Sequence, residues 1–198
     1  MKRKKLRTLQ RFGRSRRGNA GVEFALLLPL LMLLCFGAIE LGRALHDYHV
    51  VNQTVRDAAR HLGRSAYNCS TAAPGSCSTC SAQTGTCSGG CSFTNTSDVL
   101  DGVALAMTGD ISGASNLLAY WTPASLPGGL DIQICALDNS VANMSGPYEG
   151  KTVVPHVRVQ ANVDFTFLFG QLVSPDATID FEIAHNVILT RGETVVSP

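Results

Sequence analysis

An uncharged apolar run from Phe24 to Ile39 directly follows a lone carboxylate, Glu23, which itself lies five positions after Gly18. A secretory signal peptide has its small-residue cleavage site after the apolar region. Here the glycine suited to cleavage, preceded by Arg16 and Arg17, lies before that region, so processing would leave the apolar helix on the mature chain. The run is 16 residues, roughly 24 Å as helix at about 1.5 Å per residue. Extending it from Gly21 to Leu41 gives 21 residues and roughly 31 Å, enough for a bilayer core of about 30 Å. Glu23 and Glu40 then stand at its edges. The competing reading is a buried helix of a soluble domain.

Charge is divided along the chain. Nine of the sixteen Lys and Arg residues lie within residues 1 to 17, and all fifteen acidic residues come later. From residue 19 onward seven basic side chains face fifteen acidic ones, a balance of 7 − 15 = −8 before histidines. A basic cluster beside an apolar segment orients that segment with its N-terminus in the cytoplasm. As a nucleic-acid arm the cluster would be poorly placed, directly before a membrane run, so no nucleic-acid partner is expected.

An ionisable group at a membrane segment is costly and points to function. Glu23 either rests at headgroup level or pairs with a cation inside an assembly, most simply the N-terminal ammonium of a neighbouring subunit. Pro29 removes a backbone donor and is expected to bend or loosen the helix. Neighbouring helices can compensate for such a break in lipid.

The order of these parts resembles the TadE-like minor pseudopilins of the tight-adherence (Tad, or Flp) pilus system. The shared pattern is a basic stretch, Gly18, four residues from Asn19 to Val22, Glu23, Phe24 and an apolar helix with the early Pro29, continuing through FGAIELGRAL. The resemblance implies that a prepilin peptidase cuts between Gly18 and Asn19, making Glu23 the fifth residue of the mature chain. A weaker resemblance to the paired closing strands of TadE-like chains covers VRVQANVDFTFLF and IDFEIAHNVILTRGE. The cysteine-rich middle of the chain departs from the family pattern.

Beyond the membrane run, Leu41, Leu45, Tyr48, Val51, Val55, Ala58 and Leu62 recur at three- and four-residue spacing, one face of a continuing helix. Gly63 is a fitting C-terminal cap, with Arg60 and His61 in the last turn. Residues 67–96 shift to Ser, Thr, Gly, Ala and Cys without apolar periodicity and are read as loop. A short helix is expected over Asp98–Met107 behind a Ser97 cap, and another helical piece around Ser115–Tyr120. Alternation through Ile132, Ile134 and Ala136, through Val153 to Phe169, and through Ile179 to Leu189 predicts three strands with one buried face. The spacer 170–176 would join the last two as a hairpin. Pro155 lacks an N–H, so its strand is expected to begin near it or to lie at an edge there. The expected organisation is a basic cytoplasmic leader (1–18), a transmembrane and stalk helix (19–63) and an exported α+β domain (64–198), together the lollipop shape of pilin-like proteins.

Cys35 lies within the apolar run and reads as an inert membrane residue. The other six cysteines, Cys69, Cys77, Cys80, Cys87, Cys91 and Cys135, form an even set in a domain read as exported, which favours disulfides. Six cysteines allow fifteen pairings. The arrangement favoured ties Cys135 in a strand to the loop and staples the loop to itself with the others. Zinc is the rival, because Cys77-x-x-Cys80 and Cys87-x3-Cys91 have spacings near those of structural sites; it needs thiolates, which an oxidising compartment opposes. No metal or cofactor is expected.

His46, Asp47 and His49 are read as solvated helix residues, and His156 and His185 as sheet or surface residues. No nucleophile elbow, phosphate-binding loop or zinc-protease motif is present, and no enzymatic activity is expected. The resemblance implies a minor pilin-like subunit in assembly of a Tad-type pilus for adherence. Its partners would be the prepilin peptidase, other pilins and pseudopilins with their inner-membrane platform, and the lipid bilayer. The alternative is a membrane-anchored adhesin or binding module using the cysteine-rich loop.

Overall fold

The computed structural model describes residues 19–69, 71–112, 115–118, 121, 129–139, 148–167 and 178–190. The basic leader with Gly18, the spacer 170–176 and the closing Arg191-x-Glu193 lie outside the described residues. The chain divides into two compact units, Met1–Arg43 and Ala44–Pro198.

Helix α1, Asn19–Leu62, runs through both units. Its described part in the first unit holds an 18-residue window of mean hydropathy 2.4, long and apolar enough to cross a membrane. Glu40 and Arg43 meet one turn apart at 3.6 Å.

In the second unit the helix turns amphipathic. Val51, Val55, Ala58, Ala59 and Leu62 are buried, a stripe at helical spacing. The rest of the unit supplies β1 (Tyr67–Asn68), β2 (Cys77–Cys80), β3 (Cys87–Ser88), β4 (Ser92–Phe93), α2 (Thr96–Thr108), β5 (Leu130–Asp138), β6 (Val153–Thr166) and β7 (Thr178–Ile188). All pairings are antiparallel, in a two-stranded sheet β1-β4 and a five-stranded sheet β3-β2-β5-β6-β7. A long apolar helix followed by antiparallel sheets makes the chain α+β.

One core joins the layers. Val51, Val55, Ala59 and Leu62 of α1 share it with Val99, Val103 and Met107 of α2 and with Ile132, Ile134, Val157, Val159 and Ile183 of the sheet. The alternation expected for β6 is present: Val157, Val159, Ala161, Val163 and Phe165 are buried, and the residues between them face outward. At the other end of the seam Tyr48 meets Phe181 edge-on, ring centroids 5.7 Å apart.

Several expectations change. Residues 67–96 are not all loop, because four short strands lie there and β2 joins the main sheet beside β5. The cause is covalent and long-range: Cys77 is the register partner of Cys135, so the bridge between them coincides with strand pairing. Helix α2 begins at Thr96, with Asn95 rather than Ser97 in the N-cap position and no side-chain cap bond. Residues 115–118 are not helical.

Gly63 does accept the helix end, its N–H donating to the Ala59 carbonyl at 2.8 Å. Its lack of a side chain has another reason, since a Cβ there would stand 2.7 Å from Val187 Cγ1. Pro155 lies two residues inside β6, which is internal to the sheet between β5 and β7. Ala136, opposite Pro155, turns its N–H toward the Ser76 carbonyl instead, so the pairing with β5 needs no donor from Pro155. On the other side, Leu189 N–H donates to the Pro155 carbonyl at 3.1 Å. The Leu189 carbonyl, which an ordinary residue at 155 would serve, accepts instead from the Tyr148 hydroxyl at 2.6 Å.

Candidate functional site

The assembly residues read from the sequence fall on the first turns of α1. From Asn19, the first described residue, the chain is already helical. Glu23 and Phe24 follow in the second turn, and both are exposed. Pro29 sits inside the helix, which stays helical through it to Leu62. With no N–H, Pro29 leaves the Ala25 carbonyl without its usual intrahelical donor. At about 100° per residue Glu23, Phe24 and Pro29 fall on different sides of the cylinder, so they do not converge on one pocket. Glu23 stands at the head of a surface dominated by exposed Leu26, Leu27, Leu30 and Leu33. An apolar rod with one carboxylate near its start can partition into lipid, pack against similar helices and register one charge pair.

The six cysteines of the second unit are all paired: Cys69–Cys91, Cys77–Cys135 and Cys80–Cys87. Cys135 of β5 is tied to the segment 67–96, and the other two bridges close that segment on itself, as favoured from the sequence. Zinc ligation by these residues is excluded in this state, and the described residues hold no group of three or more His, Cys, Asp or Glu that could bind a metal. Cys35 is a free, exposed cysteine on α1.

Polar contacts complete the stapled segment. Ser78, almost fully buried on β2, accepts the Cys91 N–H at 2.9 Å. Gly89 takes φ 133° against that serine, and a Cβ would collide with its hydroxyl. Here glycine is required both by conformation and by space. Tyr67 opens the segment from the core, where burial and then the nearby Tyr148 raise its phenol above the ordinary value.

Two histidines had roles that the sequence did not reveal. His185 of β7 faces α1, where its Nε2 meets Asn52 Oδ1 at 2.7 Å. Burial first, and then the charge of Arg56, holds it below the usual imidazole range. His156 of β6 is lowered likewise, by burial and then by Arg158. Helical spacing around Asn52 placed that residue on α1, but its partner lies 133 residues away and no local pattern names it.

With this geometry in hand, comparison with known families is specific to one part of the chain. Residues 18–60 match the family model described as TadE-like protein. No curated protein and no solved structure matches the chain. The match covers Gly18, Glu23, the apolar run and nearly all of the rest of α1, and over these residues the chain is similar to that family. This likeness fits α1 as a membrane anchor.

Proposed function

We propose that this protein is a minor pilin-like subunit of a Tad-type pilus, with a structural rather than a catalytic role. A prepilin peptidase cuts between Gly18 and Asn19, the basic leader stays in the cytoplasm, and the globular unit lies beyond the inner membrane. The subunit then packs among the helices of other pilins and pseudopilins on the inner-membrane platform and supports filaments used in adherence. The observation that carries this reading is the order of parts along the chain, within the residues that match the TadE-like family model. Gly18 directly precedes Asn19, Glu23 is fifth from the new terminus, and the apolar run follows it.

Assembly on this reading exchanges lipid contacts for helix–helix packing. One charge pair between Glu23 and a neighbour's N-terminal ammonium favours the correct register, a pairing more useful for specificity than for stability. The three disulfides favour a second, compatible role, because they hold the polar segment 67–96 as a rigid exported surface suited to ligand contact.

N-terminal mass spectrometry of protein from cells with and without the peptidase tests the reading. A mature start at Asn19 that depends on the peptidase is expected, and a start downstream of Ile39 would overturn it. Glu23→Ala is expected to insert into membranes normally and to fail in incorporation into the pilus machinery. Filaments of normal number and composition in that mutant would remove the register role.

A further inference from the structure

Seven basic residues follow position 19, and three of them, Arg56, Arg60 and Arg64, fall within nine residues of an otherwise acidic chain. Their four-residue spacing puts them in one row along the end of α1 and its closing turn. All three are exposed. Arg60 and Arg64, with His61 between them, rim an open cleft of about 780 Å³ that extends to Asn95 at the start of α2. Asp57, 3.5 Å from Arg60, and Asp98 of α2, which lines the same cleft, temper the charge. Arg56 and Arg64 remain as further cations of the row.

The opposite face of the same unit has the opposite sign. The core side of the sheet is occupied by α1 and α2. Outward from it, at the end of β6 and the start of β7, stand Asp164, Asp180 and Glu182, all exposed. Asp164 and Asp180 are direct register partners. Their side chains share a hydrogen bond, and burial, then the charge of Asp180, raises the Asp164 carboxyl above its ordinary value, as expected for like charges placed opposite one another. Glu182 accepts a bond from Gln160 at 3.0 Å, and that glutamine also accepts from Arg158 at 2.8 Å. The one cation described on this face is thus engaged two strand positions from the acidic end.

We propose that the exported unit contacts a second copy of this chain head to tail, the arginine row of one copy seated on the Asp164–Asp180–Glu182 patch of the next. The two patches lie on opposite layers of the unit, so the contact is heterologous. Such a contact leaves one of each patch open and can propagate rather than close as a two-fold dimer. Exposed ion pairs are individually weak and screened by salt. Anchoring in one membrane raises the effective concentration of the second partner and compensates for that weakness. This contact goes beyond the assembly role proposed above, and its test uses purified protein, so either can fail while the other stands.

The experiment is energy transfer between donor- and acceptor-labelled full-length protein, tagged at the C-terminus and co-reconstituted in liposomes of neutral lipid. Wild-type transfer is expected to fall as salt rises from about 20 mM to about 500 mM, where the screening length drops well below 10 Å. R60E/R64E and D180R/E182R are each expected to weaken association about tenfold or more, a factor equivalent to about 1.4 kcal/mol. Mixing the two variants is expected to restore transfer, because each supplies the patch that the other lacks. Thermal unfolding checks that each variant folds, and the neutral pairs R60Q/R64Q and D180N/E182Q replace any that does not. Transfer indifferent to R60E/R64E overturns the proposal. So does loss with the arginine variants alone, which would mean that a different anion occupies the cleft, or failure of the mixture to recover.

Discussion

Within the single helix α1, two stretches treat the same kind of residue in opposite ways. Leu26 and Leu33 in the first stretch are 73% and 68% exposed, whereas Val55 and Leu62 in the second are wholly buried. Both stretches are helical, so backbone propensity does not separate them. The difference lies in what surrounds the polar positions. The first stretch has no charged side chain between Glu23 and Glu40, and so leaves its whole circumference apolar. The second interposes Asp47, Gln53, Arg56, Asp57 and Arg60 and leaves a single stripe to bury. A helix hydrophobic all round needs lipid or other helices, and a striped one needs a core of its own chain. The stability of Ala44–Pro198 therefore depends on its own core and crosslinks, and the fate of the first stretch depends on its surroundings.

The largest expected effect follows from the crosslinks. By the chain-entropy account, the Cys77–Cys135 bridge, spanning 58 residues, restrains the unfolded chain by about 4 kcal/mol. Cys69–Cys91, spanning 22, restrains it by about 3, and Cys80–Cys87, spanning 7, by about 2 kcal/mol. Paired Cys→Ser replacements should lower the urea unfolding free energy of the detergent-solubilised protein in that order. Membrane insertion of all three should match the wild type. Equal losses from the three replacements would break the assignment of stability to loop closure.

A second effect comes from the crossing of α1 with α2. Gly102 faces Leu62 so closely that an added Cβ would stand 2.9 Å from the leucine Cγ. Gly102→Val should therefore overpack this crossing and cost about 2 kcal/mol. Leu33→Ala, on the exposed apolar stretch, should leave the same urea transition unmoved. If Leu33→Ala proved as damaging as Gly102→Val, the separation drawn between the two stretches of α1 would be wrong.

Legibility in the sequence followed how local the determining physics was. The apolar run, its flanking charges and the alternation of β6 and β7 repeat at short range, and each was readable from composition and period. The α+β class followed from them. The strands at 77–80 and 87–88 were not readable, because Cys-Ser-Thr-Cys carries no apolar alternation. Ser78 and Cys80 are buried there through pairing with β5 and through disulfides that no local pattern specifies. The internal position of Pro155 was hidden for a similar reason. The groups that make it tolerable, Ala136, Leu189 and Tyr148, lie at separate points in the chain. At the candidate site, Glu23 and Pro29 lie on α1, where the sequence pattern put them, and Gly18 lies outside the described residues.

Tyr148 offers a smaller test of this long-range accounting. Its hydroxyl serves the carbonyl of Leu189, a residue that is fully buried. Tyr148→Phe keeps the ring and removes the donor, and should cost about 1 kcal/mol in the urea transition. No change would mean that the Pro155 position needs no substitute donor at Leu189.

The smallest effect concerns pH, and it acts only on the second stretch of α1. His185 bonds to Asn52 and lies within the fields of Arg56 and Arg60, and burial with those charges holds its folded value below that of a free imidazole. In the unfolded chain the same group takes up a proton near pH 6.5. Between that value and the lower folded one, the unfolded state binds more protons than the native state, so stability rises with pH across this window. Its contribution is fully present above about pH 6.5 and is lost as pH falls through that value toward the folded one. His156, lowered by burial and Arg158, acts with the same sign. The urea midpoint should therefore decline from pH 7.5 to pH 5.5, and His185→Gln should flatten part of the decline while retaining a polar partner for Asn52. Retention of the whole slope in His185→Gln would place the proton uptake elsewhere, with His156→Gln as the next residue to account for it. Because neither histidine lies in the stretch before Arg43, membrane insertion should be indifferent to the same pH change, and a parallel loss of insertion would join two stretches that this chemistry keeps apart.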